Sequence, residues 1–304
     1  MRGDAQRSIV EQPQSEPVSE LSRRTFLAVA AALAARTAAG SPFGYQVPQP
    51  AARGLPLRRV GVQLYTVRSL MRQDFDGTLA VIAEIGYDEV EFAGYFDRTP
   101  SQVREALERV SLAAPSTHVP YDTLAGDWQR VLDDSAAIGH SYVTVPWLPD
   151  RVRGSLSGWH RVADEFNEAG RVAREAGLTF SYHNHDFDFR LTEGAIPLNV
   201  LIERTDPELV TFELDLYWMV RAGHDPLEYI AAYPGRFPLH HVKDSAGPDE
   251  HRMVDVGAGV IDFDTILQRA AEAGARHYFV EHDSPEDPMA TARAGYAALT
   301  APGD

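Results

Sequence analysis

The stretch FSYHNHDFDF, residues 180–189, sets two histidines and two acids into ten positions, directly after the start of an alternating run, LTFSYH (178–183). In a strand successive side chains face opposite sides. Phe180 and Tyr182 then share one face, and Thr179, Ser181, His183 and, beyond the run, His185 share the other. One face is suited to packing on helices, and the other is polar and ends in imidazoles. Such a strand belongs to a sheet buried on both sides, with chemistry at its carboxyl end.

The same pattern recurs. From Arg58 onward short β-rich runs alternate with longer segments whose apolar residues return at helical spacing. The runs are VGVQLY (60–65), DEVEFA (88–93), APSTHV (114–119), YVTVPW (142–147), LTFSYH (178–183), LVTFELD (209–215), PLHHVKD (238–244) and HYFVEHD (277–283). Between them lie segments such as TPSQVREALERV, where Thr99 caps a helix with Pro100 at its first position, and GWHRVADEFNEAGRVAREAG, which Gly177 ends. Eight strand–helix units predict a (β/α)8 TIM barrel, a single α/β domain over residues 58–300. A doubly wound sheet usually has fewer strands and often a glycine-rich phosphate turn.

Following the inward face to the carboxyl end of each strand gives Gln63, Glu91, His118, His183, Asp215, His241 with Lys243, and Glu281. Barrel enzymes place their chemistry there. Burying so many polar groups without partners would cost several kcal/mol apiece, so something must compensate them. His183, Asp215, His241 and Glu281 end four consecutive strands and form a candidate metal set. Two imidazoles and two carboxylates suit one divalent ion among Mn, Co, Zn, Fe, Ni and Mg, while Ca prefers an all-oxygen shell.

The chain resembles the xylose isomerase-like TIM barrels, in the branch of sugar phosphate isomerases and epimerases. The resemblance runs from about residue 58 to 300 and rests on GVQLYTVR, GYDEVEFAG, YHNHDFDF, FELDLYW, HHVKD, VGAGVIDF and FVEHD. In that family Glu, Asp, His and Glu at the ends of strands five to eight hold a metal that binds neighbouring sugar oxygens. The matching positions here are His183, Asp215, His241 and Glu281, so the fifth strand departs from the pattern with an imidazole. Family epimerases also use the first and last carboxylates as two proton-transfer groups on opposite faces of the sugar carbon. With His183 in place of the first, Glu281 is left as the base without a matched partner.

The resemblance implies a metal-dependent isomerase or epimerase that removes a proton next to a sugar carbonyl. A lyase that expels the aglycone of a keto-glycoside from the same site is the alternative, and a non-catalytic sugar-binding barrel is the third reading. Glu281 is the expected base, with the second acid or base drawn from His118, His185, Lys243 or Glu91. Glu91 and His118 can equally form an inward polar network, Lys243 can pair with Asp215 or Glu213, and Glu213 reads as a buried structural acid. Substrate contacts are expected from His185, Gln63 and Asp283, with Trp147 and Trp218 as stacking platforms for a sugar ring. His160, His224, His251 and His277 read as ordinary surface or loop histidines. The Gly257–Gly259 turn lies where barrels often bind phosphate, a weak signal by itself.

The formal charge of −16, from 28 basic and 44 acidic residues, opposes a nucleic-acid partner and with it the family's DNA-repair endonucleases. Residues 1–40 read as a twin-arginine-type export signal. Arg23 and Arg24 precede Thr-Phe-Leu, an apolar run extends from Leu27 to Ala35, and small residues follow at Ala38 and Ala39. That run is far short of the ~20 residues of a membrane span. A flexible linker is expected over 41–57. The absence of cysteine fits a periplasmic or extracellular destination, where a non-phosphorylated sugar is the fitting substrate. A carbohydrate is the expected small-molecule partner, and a second copy of the chain is a further candidate.

Overall fold

In the computed structural model of the chain, residues 57, 59–247 and 250–301 are described; the expected signal segment and all but the last residue of the linker lie outside them. The barrel strands are β1 (Gly61–Gln63), β2 (Glu89–Phe92), β3 (Ala113–His118), β4 (Tyr142–Val145), β5 (Thr179–His183), β6 (Val210–Asp215) and β7 (Leu239–Val242). After a two-stranded antiparallel hairpin, β8 (Asp244–Ser245) with β9 (Met253–Val254), comes β10 (His277–Val280), which closes the barrel between β7 and β1. All barrel pairings are parallel, in sequence order around the ring. Each of the eight runs read from the sequence becomes a strand of this barrel. The hairpin β8–β9 was not foreseen.

Local chemistry sets the helix ends. Thr99 and Gln102 form a capping box around the start of the helix Pro100–Val110. The helix Leu156–Glu175 is followed by Gly177 at φ +78°, a left-handed position that favours glycine. This helix lays Phe166 against the outward faces of Phe180 and Tyr182, with ring centroids 4.9 and 5.2 Å away. The alternation in FSYH is thereby realised, with aromatics on the helical layer and His183 inside.

The barrel interior is layered. Glu89 and His277 pair at the floor, 2.7 Å apart, so His277 opens a strand and does not lie on a free surface. Above them Tyr142, Leu239 and Phe279 form a small apolar plug. Gly61 makes room for it, since a Cβ there would lie 2.4 Å from the Phe279 ring. Over the plug sits the polar layer.

Asp244 anchors the loop that follows β7. Its Oδ2 accepts the amide N–H groups of Gly257 (3.0 Å) and Gly259 (2.9 Å), and its Oδ1 accepts those of Ser245 (2.8 Å) and Ile261 (3.2 Å). A Cβ on Gly259 would lie 2.3 Å from both Asp244 Oδ1 and the Ser245 carbonyl oxygen. Gly259→Ala is therefore expected to lower stability by about 1–3 kcal/mol, through forced displacement of a buried, hydrogen-bonded carboxylate. Urea unfolding checks this, and an unchanged midpoint would contradict the clamp.

His140 is buried behind β3 and β4. Its Nδ1 lies 2.6 Å from the Ala114 carbonyl oxygen, which can only accept, so Nε2 accepts the Tyr95 hydroxyl at 3.1 Å. Burial pushes its pKa down from 6.5 to about 4. Between those values the unfolded chain takes up a proton that the folded chain refuses, so stability falls as pH falls from about 6.5 towards 4. The loss between pH 7 and pH 5 is expected to be about 2 kcal/mol. His140→Gln should remove that component of the pH dependence of urea unfolding, and an unaltered dependence would contradict the assignment.

Candidate metal centre at the barrel mouth

Asn184 and Asp188, neither of them singled out in the sequence, hold the strand ends. The Asp215 amide donates to Asn184 Oδ1 (2.9 Å), and Asn184 Nδ2 donates to the Asp215 carbonyl oxygen (3.3 Å), which locks the end of β6 to that of β5. Asp188 accepts the Tyr182 hydroxyl (2.8 Å) and the His185 amide (2.7 Å), so the second half of HNHDFD folds back on the first. Burial raises the Asp188 pKa to about 7. Asp215 also caps the next helix through Oδ1 and the Trp218 amide, 2.9 Å away, and this leaves Oδ2 directed at the mouth.

The polar layer then assembles from the ends of seven strands. Glu213 Oε2 lies 2.7 Å from His118 Nε2, 3.1 Å from His183 Nδ1 and 3.2 Å from His241 Nε2. Glu91 Oε2 lies 2.6 Å from His241 Nε2 and 3.1 Å from His118 Nε2. Gln63 stands beneath: its Nε2 donates to Glu91 Oε2 (2.7 Å) and its Oε1 accepts the Tyr65 amide (3.0 Å), so both ends of this fully buried amide are engaged. Nearer the mouth, Glu281 Oε2 lies 2.6 Å from His241 Nδ1. Lys243, fully buried, places Nζ within 2.9 Å of Asp215, 2.8 Å of Glu281 and 3.0 Å of Asp283.

These contacts set the protonation states. Burial opposes charge on His118, but Glu91 and Glu213 lift its pKa to about 9, and His241 is raised well above its usual value by Glu213, Glu281 and Glu91 against the same opposition. His183 is driven well below its usual value, first by burial and then by His241 and other positive neighbours, so its ring is neutral and a lone pair is available. Burial lifts Asp215 to about 6 even with Lys243 beside it. Burial also pushes Glu281 upward, but Lys243 and His241 prevail and hold it ionised.

Of the sequence-derived metal set, Asp215, His241 and Glu281 offer ligand atoms within 4.8 Å of one another. His183 joins a second group at that spacing, with His118, Glu213 and His241. Its Nε2 lies 3.5 Å from Asp215 Oδ2, which links the two groups. Glu213, read from the sequence as structural, is thus the residue common to three imidazoles. The residues fit a divalent ion on two counts. Five carboxylates, Glu91, Glu213, Asp215, Glu281 and Asp283, converge with a single lysine among them, and Glu91 Oε1, Glu213 Oε1 and Glu281 Oε1 accept no hydrogen bond among the described residues.

At the rim, the His185 ring lies between Phe187 (centroids 5.6 Å, near-parallel) and Trp218 (5.3 Å). Trp147 meets Phe187 edge-on, and the Arg153 guanidinium lies 3.8 Å over the Phe187 ring. Asp283 keeps 23% of its side chain exposed beside Lys243. The Gly257 and Gly259 amides, candidates for phosphate from sequence, are taken by Asp244. No helix among the described residues is long and apolar enough to cross a membrane.

This chain is similar to an inosose dehydratase of Geobacillus kaustophilus, 26% identical over 196 residues that cover 56% of this chain and 61% of the relative. The chain spans 56 to 61% of the length of the first curated relatives it matches, all inosose dehydratases. Among solved structures, a sugar phosphate isomerase/epimerase from Parabacteroides distasonis superposes with a TM-score of 0.70 at 25% identity, over 86% of this chain and 98% of that one. The IolI protein, solved with a bound zinc atom, shares the fold at a TM-score of 0.64 and 15% identity, over 80% of this chain and 98% of its own. Residues 79–301 match the model of one family, and the chain belongs to it: the xylose isomerase-like TIM barrels.

Proposed function

We propose that the protein is a divalent-cation-dependent enzyme that removes a proton from the carbon next to a ketone in a non-phosphorylated sugar derivative. The observation that carries this reading is the Glu281 carboxylate. It is held ionised at the end of β10 by Lys243 and His241, and its second oxygen accepts no hydrogen bond among the described residues. When bound in the His/carboxylate cluster, the cation supplies Lewis-acid polarisation of substrate oxygens. Glu281 takes the proton; Lys243, 2.8 Å from it, steadies negative charge developing on the substrate. His118, Glu91 and Gln63, bonded to one another below, orient this layer. His185, Trp147 and Trp218 line the rim as the apolar and stacking contacts of a sugar ring.

After proton removal, the electron pair left on carbon has two outlets. It can expel a hydroxyl or alkoxy group from the neighbouring carbon, giving an unsaturated ketone and water or an alcohol. It can also return to a proton and yield an isomer. Elimination is the reading we favour, because β5 ends in the His183 imidazole and supplies no second carboxylate across from Glu281, and because the curated relatives carry the name of a dehydratase. Isomerisation is supported by the Parabacteroides neighbour. The loss of the Gly257 and Gly259 amides to Asp244 supports a substrate without phosphate. Export through the Arg23–Arg24 segment is part of the same proposal, to be checked by cell fractionation.

The test is incubation of the metal-loaded protein with keto-glycosides and keto-inositols in D2O. Deuterium uptake beside the ketone, reduced by roughly 10²–10⁴-fold in Glu281→Gln, supports the proton-transfer reading. Release of water or aglycone supports elimination, and an isomer of equal mass supports isomerisation. Saturable binding without exchange in any substrate would refute the enzyme and favour a sugar-binding barrel.

A further inference from the structure

We propose that a basic cleft beside the barrel mouth, between the loops that follow β1 and β10, binds the carboxylate of an acidic sugar derivative. The inference rests on the functional reading above and adds a negative charge to its substrate.

Position is the first observation. β1 and β10 are neighbours in the barrel, and the Thr66 hydroxyl oxygen accepts the His282 amide at 3.1 Å, which ties together the loops beyond them. A cleft of about 290 Å³ lies here, lined by Thr66, Arg68, Ser69 and Arg72 from the first loop and the helix Arg68–Gln73, and by Ser284 from the second. Ligand-sized clefts begin at about this volume. Ser284 stands three residues beyond Glu281, the proposed base, so the cleft adjoins the reacting end of the barrel.

Charge is the second. Arg68 and Arg72 are four residues apart on one helix and therefore share a face. Arg68 is held in place: its Nη1 donates to the Tyr65 carbonyl oxygen (2.7 Å), and its guanidinium lies 3.9 Å over the Tyr65 ring. Its remaining N–H groups, and all those of Arg72, have no hydrogen-bond or carboxylate partner among the described residues. No acid lines the cleft. In the facing loop, Asp283 pairs with Lys243 at 3.0 Å and Asp287 accepts the Met289 and Ala290 amides, while Glu286 is exposed and outside the lining.

The chain carries 44 acidic residues against 28 basic ones, so two adjacent arginines without a carboxylate point to an anion supplied from outside. A guanidinium already fixed in orientation loses little freedom on binding, and its donor fork matches a carboxylate. The acidic cluster of the mouth repels an anionic substrate, and the arginines offset that repulsion on the β1–β10 side alone. A sugar acid is thereby held with its charge over this side of the mouth and its neutral carbons towards Glu281.

Calorimetric titration of metal-loaded full-length protein with methyl β-D-glucuronide and methyl β-D-glucoside tests this, since the two differ by the carboxylate. The glucuronide is expected to bind roughly 10-fold or more tightly. Arg72→Glu, at an exposed position, is expected to abolish that preference, and Arg68→Gln to reduce it, with circular dichroism confirming the fold. Equal affinities in the wild type, no binding of the glucuronide, or a preference that survives in Arg72→Glu, as one due to the metal would, overturns the inference. Tighter binding of glucose 6-phosphate than of the glucuronide would overturn the assignment to a carboxylate. Titration requires no turnover, so each of these results leaves the proton-transfer reading standing, and absence of deuterium exchange with the preference intact would refute that reading alone.

Discussion

Buried negative charge dominates this barrel. Five carboxylates, Glu91, Glu213, Asp215, Glu281 and Asp283, converge at the carboxyl ends of its strands, and four of them are essentially inaccessible to solvent. One lysine among them leaves the cluster under-compensated, and uncompensated charge in a low-dielectric interior is among the largest penalties a fold can carry. Protonated imidazoles meet part of the deficit, as the raised pKa values of His118 and His241 show. A divalent ion would meet it more fully and release those protons, which is why the metal centre, the base and the lysine belong in one account.

The scaffold serves this cluster through backbone geometry. The two-residue period of the strands sends alternate side chains inward, and parallel register brings His183 level with Glu213 and Asp215 level with His241. Fine positioning comes from side chains that bond to backbone. Asn184 ties β5 to β6, Asp188 folds the HNHDFD turn, and Asp244 gathers four amides of the loop after β7. Asn184 thereby fixes Asp215 and Asp188 fixes His185, while Asp244 fixes the loop beside the mouth.

Much of this was legible in the sequence. Eight runs with period-two alternation became eight strands, because burial on both faces leaves a strong pattern. The inward residues followed from counting along each run, as Gln63, Glu91, His118, His183, Asp215, His241, Lys243 and Glu281 illustrate. What alternation does not encode is depth. Glu213 and Asp215 share a face and a motif, FELD, yet Glu213 meets three imidazoles while Asp215 meets Lys243. Lateral partners were likewise hidden: Asn184 bonds the backbone of Asp215 on the next strand, Asp188 bonds back across its own turn, and the Gly257–Gly259 amides are taken by Asp244, a choice set by loop conformation. The first 56 residues lie outside the described structure, so the export reading rests on their sequence alone.

In the proposed function a bound divalent ion balances the buried carboxylate excess. Elemental analysis of protein purified without chelator or metal-affinity resin addresses it directly. About one divalent ion per chain, lost on dialysis against chelator and restored by Mn, Co or Zn, is the predicted result. A metal-free protein that takes up none of these ions at neutral pH would contradict the claim and leave the protonated histidines and Lys243 as the sole compensation.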